Sequence, residues 1–145
     1  MTITTAAEVR AALLGAWRLL SLKNVQPDGT VSYLLGPDAV GQLVYSENGR
    51  MSAQLMRPGT AAFQADNAQQ ATDEEKLAAY ANFTSYYGSF RIDAEAGAVI
   101  HEVEGSTFPN MIGTDQVRYY HIDGDRLNLE AESGPGRSYV AWQRF

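Results

Sequence analysis

The chain has 145 residues, 45% hydrophobic and 19% charged, with 17 acidic against 11 basic residues and a formal net charge of −6. That length and composition describe one globular domain, 1–145, able to bury its own core, and exclude a disordered chain. The acidic balance, with no basic run interleaved with aromatics, argues against nucleic acid as a partner. The absence of cysteine excludes disulfides, thiolate metal ligands and thiol nucleophiles, and fits a reducing compartment.

In chain order, Met1 to Val9 carry neither the positive start nor the long apolar stretch of a secretory signal, so a cytoplasmic location is expected. The Ala-rich segment Thr4 to Leu14 predicts a short helix that plugs or covers one end of the fold. Strands are then predicted at Gly15–Val25, Thr30–Leu34, Gly41–Ser46 and Arg50–Arg57. The stretch Pro58 to Ala71 is small and polar and reads as a loop. Thr72-Asp73-Glu74-Glu75 has the form of a capping box, and Leu77, Tyr80, Ala81 and Thr84 follow on one helical face. Loop and helix together are positioned to serve as a lid. Further strands are predicted at Ser85–Asp93, Ala98–Glu104, Thr114–Asp123, Arg126–Ala131 and Ser138–Phe145. Asp28-Gly29, Asn48-Gly49, Ala96-Gly97 and Asp123-Gly124 supply turn chemistry. No run of about eighteen apolar residues spans a membrane.

Many short strands joined by tight turns predict an all-β protein, an eight- to nine-stranded antiparallel barrel with a short N-terminal helix and one inserted helix. About eight strands enclose either a packed interior or one small ligand. Strand alternation assigns the faces. Val99, His101 and Val103 read as inward, with Glu102 and Glu104 outward unless a bulge intervenes. Gln116, Arg118, Tyr120 and Ile122 share one face, as do Tyr86, Gly88, Phe90 and Ile92, and Val140, Trp142 and Arg144. In Thr114–Asp123 the opposite face carries Val117, Tyr119 and His121, and polarity alone does not rank the two; in Arg50–Arg57 the choice is Met51, Ala53 and Leu55 against Ser52, Gln54 and Met56.

Gly15-Ala16-Trp17 on the first long strand resembles the Gly-x-Trp signature of lipocalins and related calycin barrels. The segments YLLGPDAVGQLVYSENGRMSAQLMRPG, YYGSFRID and HEVEGSTFPNMIGTDQVR resemble the lipocalin-like domain family of small intracellular bacterial and fungal proteins. The resemblance runs from Leu14 to Phe145. It implies a calyx, leaves the chemistry open, and places Arg144 across Trp17 as a structural pair. It also favours Gln116 and Arg118 as cavity-lining, and His101, Asn110 and Arg57 fall within its segments.

The chemistry-bearing candidates are few. His101 is the inward one of two histidines. It is either a general base or a buried neutral imidazole hydrogen-bonded within the barrel. Arg118 either holds a ligand carboxylate or enolate oxygen, or pairs with Glu102, Glu104 or Glu130. Gln54, Tyr45, Tyr86, Gln116 and Tyr120 are the further candidate ligand contacts, tyrosines giving a ring wall and an orienting hydroxyl. No His-rich metal motif, phosphate loop or nucleophile elbow is present, so no metal or cofactor is expected.

Three functions remain. The first is binding of a small, largely apolar molecule with a polar or carboxylate end. The second is a cofactor-independent isomerase, cyclase or lyase using His101 as acid/base and Arg118 and Gln116 as oxyanion stabilisers. The third is a packed barrel acting as an interaction module. A homodimer is possible through a barrel face or the loop Pro58 to Ala71.

Overall fold

The computed structural model describes residues 5–145. It comprises helix α1 (Ala6–Leu13), strands β1 (Gly15–Val25), β2 (Val31–Ser32), β3 (Val40–Tyr45) and β4 (Arg50–Met56), helix α2 (Asp73–Ala81), and strands β5 (Phe83–Asp93), β6 (Ala98–Ser106), β7 (Asp115–Asp123), β8 (Arg126–Ser133) and β9 (Gly136–Arg144). The expected start of the first helix at Thr4 lies outside the described residues. The helix is capped by Thr5, whose side chain accepts from the Glu8 amide.

The strands pair antiparallel in the order β2-β1-β3-β4-β5-β6-β7-β8-β9, and β1 pairs with β9 to close the sheet. Eight strands make the barrel, and β2 is a two-residue extension on β1. The expected strand Thr30–Leu34 is cut short because the Gly36 amide bonds the Tyr33 carbonyl and Gly36 sits at φ +82°, a turn geometry that ends pairing. No helix among the described residues is long and apolar enough to cross a membrane.

Alternation sends one face of each strand inward, and two irregularities shift it. The β1–β9 register slips between Leu19 and Ser21, so the inward row continues from Trp17 and Leu19 to Leu22 and Asn24. The β5–β6 register slips where Tyr87 and Gly88 face Gly105 and Val103, so Ser106 follows Val103 on the inside.

One end of the barrel is closed by a packed core. Val9 and Leu13 of α1 are fully buried against Trp17, Leu43, Tyr45, Met51 and Phe90. Arg144 clasps this end. Its guanidinium carbon lies 4.1 Å from the Trp17 ring centroid, and its Nη1 and Nη2 donate to the carbonyls of Leu14 (2.8 Å) and Ala12 (2.6 Å). Trp17 Nε1 donates to Leu13 O at 2.9 Å. Those carbonyls belong to the C-terminal turn of α1 and its exit, which lack intrahelical partners. One side chain therefore joins helix, first strand and last strand.

Helix α2 carries the expected capping box between Thr72 and Glu75. It is not a lid. Leu77 and Tyr80 are 69% and 58% exposed, and no residue between Met56 and Phe83 reaches the barrel interior. β4 and β5 pair right up to Met56 and Phe83, so the insertion leaves and returns on the barrel's outside.

Candidate functional site

Beyond the packed end the barrel encloses a cavity of about 380 Å³, in the range of small-molecule sites. Its walls are mainly apolar, from Leu22, Leu43, Leu55, Leu129, Val140 and Trp142. Leu34, Phe108 and Met111 also line it. Phe108 and Met111 belong to the loop between β6 and β7, where a 3-10 turn over Pro109–Met111 brings both side chains to the opening.

One group of polar side chains gathers on three adjacent strands, while Asn24, Glu132, Ser133 and Ser138 line the cavity from β1, β8 and β9. Tyr86 comes from β5, His101 from β6, and Gln116 and Arg118 from β7. His101 and Gln116 are direct cross-strand partners, and Arg118 faces Val99 one inward position along. The sheet register thus collects residues that the sequence scatters.

His101 is 1% exposed. Its Nε2 lies 2.7 Å from Tyr45 Oη and its Nδ1 2.8 Å from Tyr86 Oη. Burial, reinforced by the nearby Arg118 charge, lowers its pKa to about 3. The imidazole is therefore neutral at physiological pH. Burial likewise pushes the Tyr45 hydroxyl well above its ordinary value. It raises Tyr86 too, while the charge and hydrogen bonding of Arg118 pull Tyr86 part of the way back.

Arg118 is partly buried and has no carboxylate partner among the described residues. Its Nη1 donates to Val117 O at 3.1 Å and its Nη2 reaches Gln116 Oε1 at 3.5 Å. Gln116 is in turn held by a 2.8 Å donation from its Nε2 to Thr114 Oγ1. The acids expected as alternative partners are engaged elsewhere on the outer surface. Glu102 meets Arg91 at 3.5 Å, Glu104 meets Arg50 at 2.5 Å and Glu130 meets Arg137 at 3.0 Å. A guanidinium has five N–H donors, so Arg118 keeps donors for a molecule in the cavity.

Of the sequence-based ligand contacts, Tyr86, Gln116 and Arg118 line the cavity and Gln54, Tyr45 and Tyr120 do not. Gln54 points to the outer surface, its Oε1 accepting from Gln42 Nε2 at 3.3 Å and its Nε2 reaching Ser85 Oγ at 3.5 Å, because Ala53 and Leu55 take the inward face of β4. Tyr45 lies beneath the cavity floor and touches it only through His101. Tyr120 faces inward but packs at the core end, where its amide bonds Gly97 O. Trp142 was missed as a wall residue although alternation had paired it with Val140. Its Nε1 is buried with no partner among the described residues. Asn24 and Leu22 reach the cavity only through the slip in β1, which leaves no sequence signal.

A closed antiparallel calyx with a mainly apolar cavity and a polar cluster around Arg118 on its wall defines the class of this protein. The lipocalin-like domain model matches residues 14–145, and the chain belongs to that family. A 4'-hydroxy-3'-methoxypropiophenone carrier protein of Aspergillus oryzae is 41% identical over 107 residues, a match covering 66% of this chain and 96% of the relative. A solved structure of lipoprotein YedD from Klebsiella pneumoniae overlaps 93% of this chain and 73% of its own, with TM-score 0.44 and 11% identity.

Proposed function

We propose that the protein is a carrier that holds one small, largely apolar molecule in the barrel, its oxygen-bearing polar or carboxylate end against Arg118, Gln116 and Tyr86. The observation that carries this reading is Arg118. A guanidinium on the wall of a mainly apolar cavity, without a carboxylate partner among the described residues, is poorly compensated until a ligand oxygen meets it. The relative from Aspergillus oryzae supports the same reading, since its name gives a carrier of an oxygenated aromatic ketone. We extend to this chain the ligand class, a small oxygenated aromatic or similarly apolar molecule, and not the compound.

The acid/base alternative is less well supported. A general base works best with a pKa near the operating pH, and His101 lies far below it with both ring nitrogens engaged by tyrosines. The imidazole suits a fixed hydrogen-bonding role better than proton transfer.

Trp142 on the cavity wall provides the readout. Titration with small aromatic ketones and aromatic carboxylates should change tryptophan fluorescence saturably, with one molecule bound per chain by native mass spectrometry. Arg118→Met should weaken that binding by about tenfold or more, the loss of one charge-assisted hydrogen bond. Unchanged affinity in Arg118→Met, or chemical conversion of the bound molecule by the wild type, would overturn the carrier reading.

A further inference from the structure

The polar cluster has a direction, and hydrogen-bond accounting reveals it. Tyr45 Oη, the His101 ring and Tyr86 Oη form a line from the packed core to the cavity wall. A neutral imidazole has one N–H donor and one bare acceptor nitrogen, so one tyrosine donates to it and the other accepts from it. Tyr45 is 1% exposed, and its hydroxyl has no hydrogen-bond partner among the described residues except His101 Nε2. Were Tyr45 the acceptor, its own proton would be buried and unpaired, which is costly. Tyr45 is therefore the donor to Nε2, and the ring proton sits on Nδ1, where it is given to Tyr86 Oη. The Tyr86 proton is left without an acceptor among the described residues, on a side chain that lines the cavity.

The neighbouring groups have the same polarity. Arg118 has only donors. Gln116 gives one of its two amide hydrogens to Thr114 Oγ1, and its carbonyl oxygen faces Arg118. We infer that Tyr86 O–H and Arg118 N–H form a donors-only recognition point, which selects ligands whose buried end is a bare acceptor such as a ketone or carboxylate oxygen. A methyl group in that place leaves both donors unpaired, and an ammonium group sets donor against donor beside a guanidinium. This inference rests on the carrier reading for its ligand and on the protein's own hydrogen bonds for its direction.

The test has one arm for each. Nitrogen-15 NMR of the ligand-free protein reads the His101 tautomer. Nδ1 is expected to be protonated and Nε2 bare; the reverse tautomer overturns the inference whatever the cavity binds. Titrations with propiophenone, propylbenzene and 1-phenylpropan-1-amine then compare one shape with three end groups. Propiophenone is expected to bind about tenfold tighter than propylbenzene, and the amine weakest. In Tyr86→Phe the ketone-to-alkyl ratio should fall toward one. Equal binding of ketone and alkyl probes by the wild type overturns donor selection while leaving the carrier reading in place. Failure of all three probes to bind overturns both.

Discussion

Arg144 and Arg118 have the same guanidinium and opposite surroundings. Arg144 is satisfied by two backbone carbonyls, an indole face and Asp125 at 3.6 Å, so it acts as a fastener. Arg118 reaches a neighbouring carbonyl, Gln116 at 3.5 Å and the Tyr86 hydroxyl, but no carboxylate among the described residues, so it keeps donors available. Arg144→Ala should lower the free energy of unfolding by about 2–4 kcal/mol, from the lost cation–π contact and the carbonyls it leaves unpaired. Arg144→Lys should recover only part of this, because an ammonium lacks the planar fork that spans both carbonyls. Urea unfolding of the three proteins measures both effects. His101 supplies a pH signature. Its folded pKa of about 3 lies below the free value of 6.5, so the unfolded chain takes up the proton first. Above pH 6.5 the site's contribution to stability is complete, and it is lost as pH falls from there toward about 3. Wild-type stability should drop more steeply between pH 7 and 4 than that of His101→Gln, with a difference of order a few kcal/mol across the full window. Parallel slopes in thermal or urea unfolding would show that His101 is not the titrating group.

At the scale of the element, strand geometry explains both the site and the limits of reading it from sequence. Gly88 lies where β5 crosses closest to β6. A Cβ there would sit 1.9 Å from Glu102 O, a backbone atom that cannot move aside without parting the strands. Gly88→Ala should therefore cost about 3 kcal/mol or more, by the mechanism of an overpacked interior, and should weaken ligand binding because His101 and Tyr86 flank that crossing. Circular dichroism melts and probe titration on the same sample test the two effects. Alternation was sufficient to turn His101 inward with Val99 and Val103, whereas for Gln116 and Arg118 it gave a shared face and the family resemblance chose the interior for it. For Gln54 the row Met51, Ala53 and Leu55 is the more apolar and takes the interior, so Gln54 as a ligand contact runs against the strand's own pattern. Alternation gave the correct face but no depth for Tyr45 and Tyr120, which lie at the closed end. The slips in β1 and β6 are encoded by pairing with other strands and not by either strand alone. The lid expected of α2 rested on real local signals, a capping box and an apolar face. Those signals set where a helix forms, not where it docks.

For the whole molecule, the barrel has a packed end and a hollow end, and single strands serve both, as β1 does with Trp17 in the core and Leu22 and Asn24 in the cavity. The packed end holds α1, Trp17 and the clasp of Arg144, so the rigidity of the fold is concentrated away from the cavity. The clasp also has a consequence in time. The hydrogen bond from Arg144 to Leu14 joins residues 130 apart, and nearly every other strand pair is between neighbours in sequence. Hairpins can form early from local contacts, whereas joining β1 to β9 must wait until the ends of the sheet meet. If that seam is sealed after the rate-limiting barrier, Arg144→Ala should speed unfolding and leave refolding nearly unchanged, as stopped-flow chevrons would record. Equal slowing of refolding would place the seam in the nucleus instead. A seam sealed last is also the natural place for the barrel to begin coming apart, which makes the fastener at Trp17 a governor of the protein's lifetime as well as of its stability.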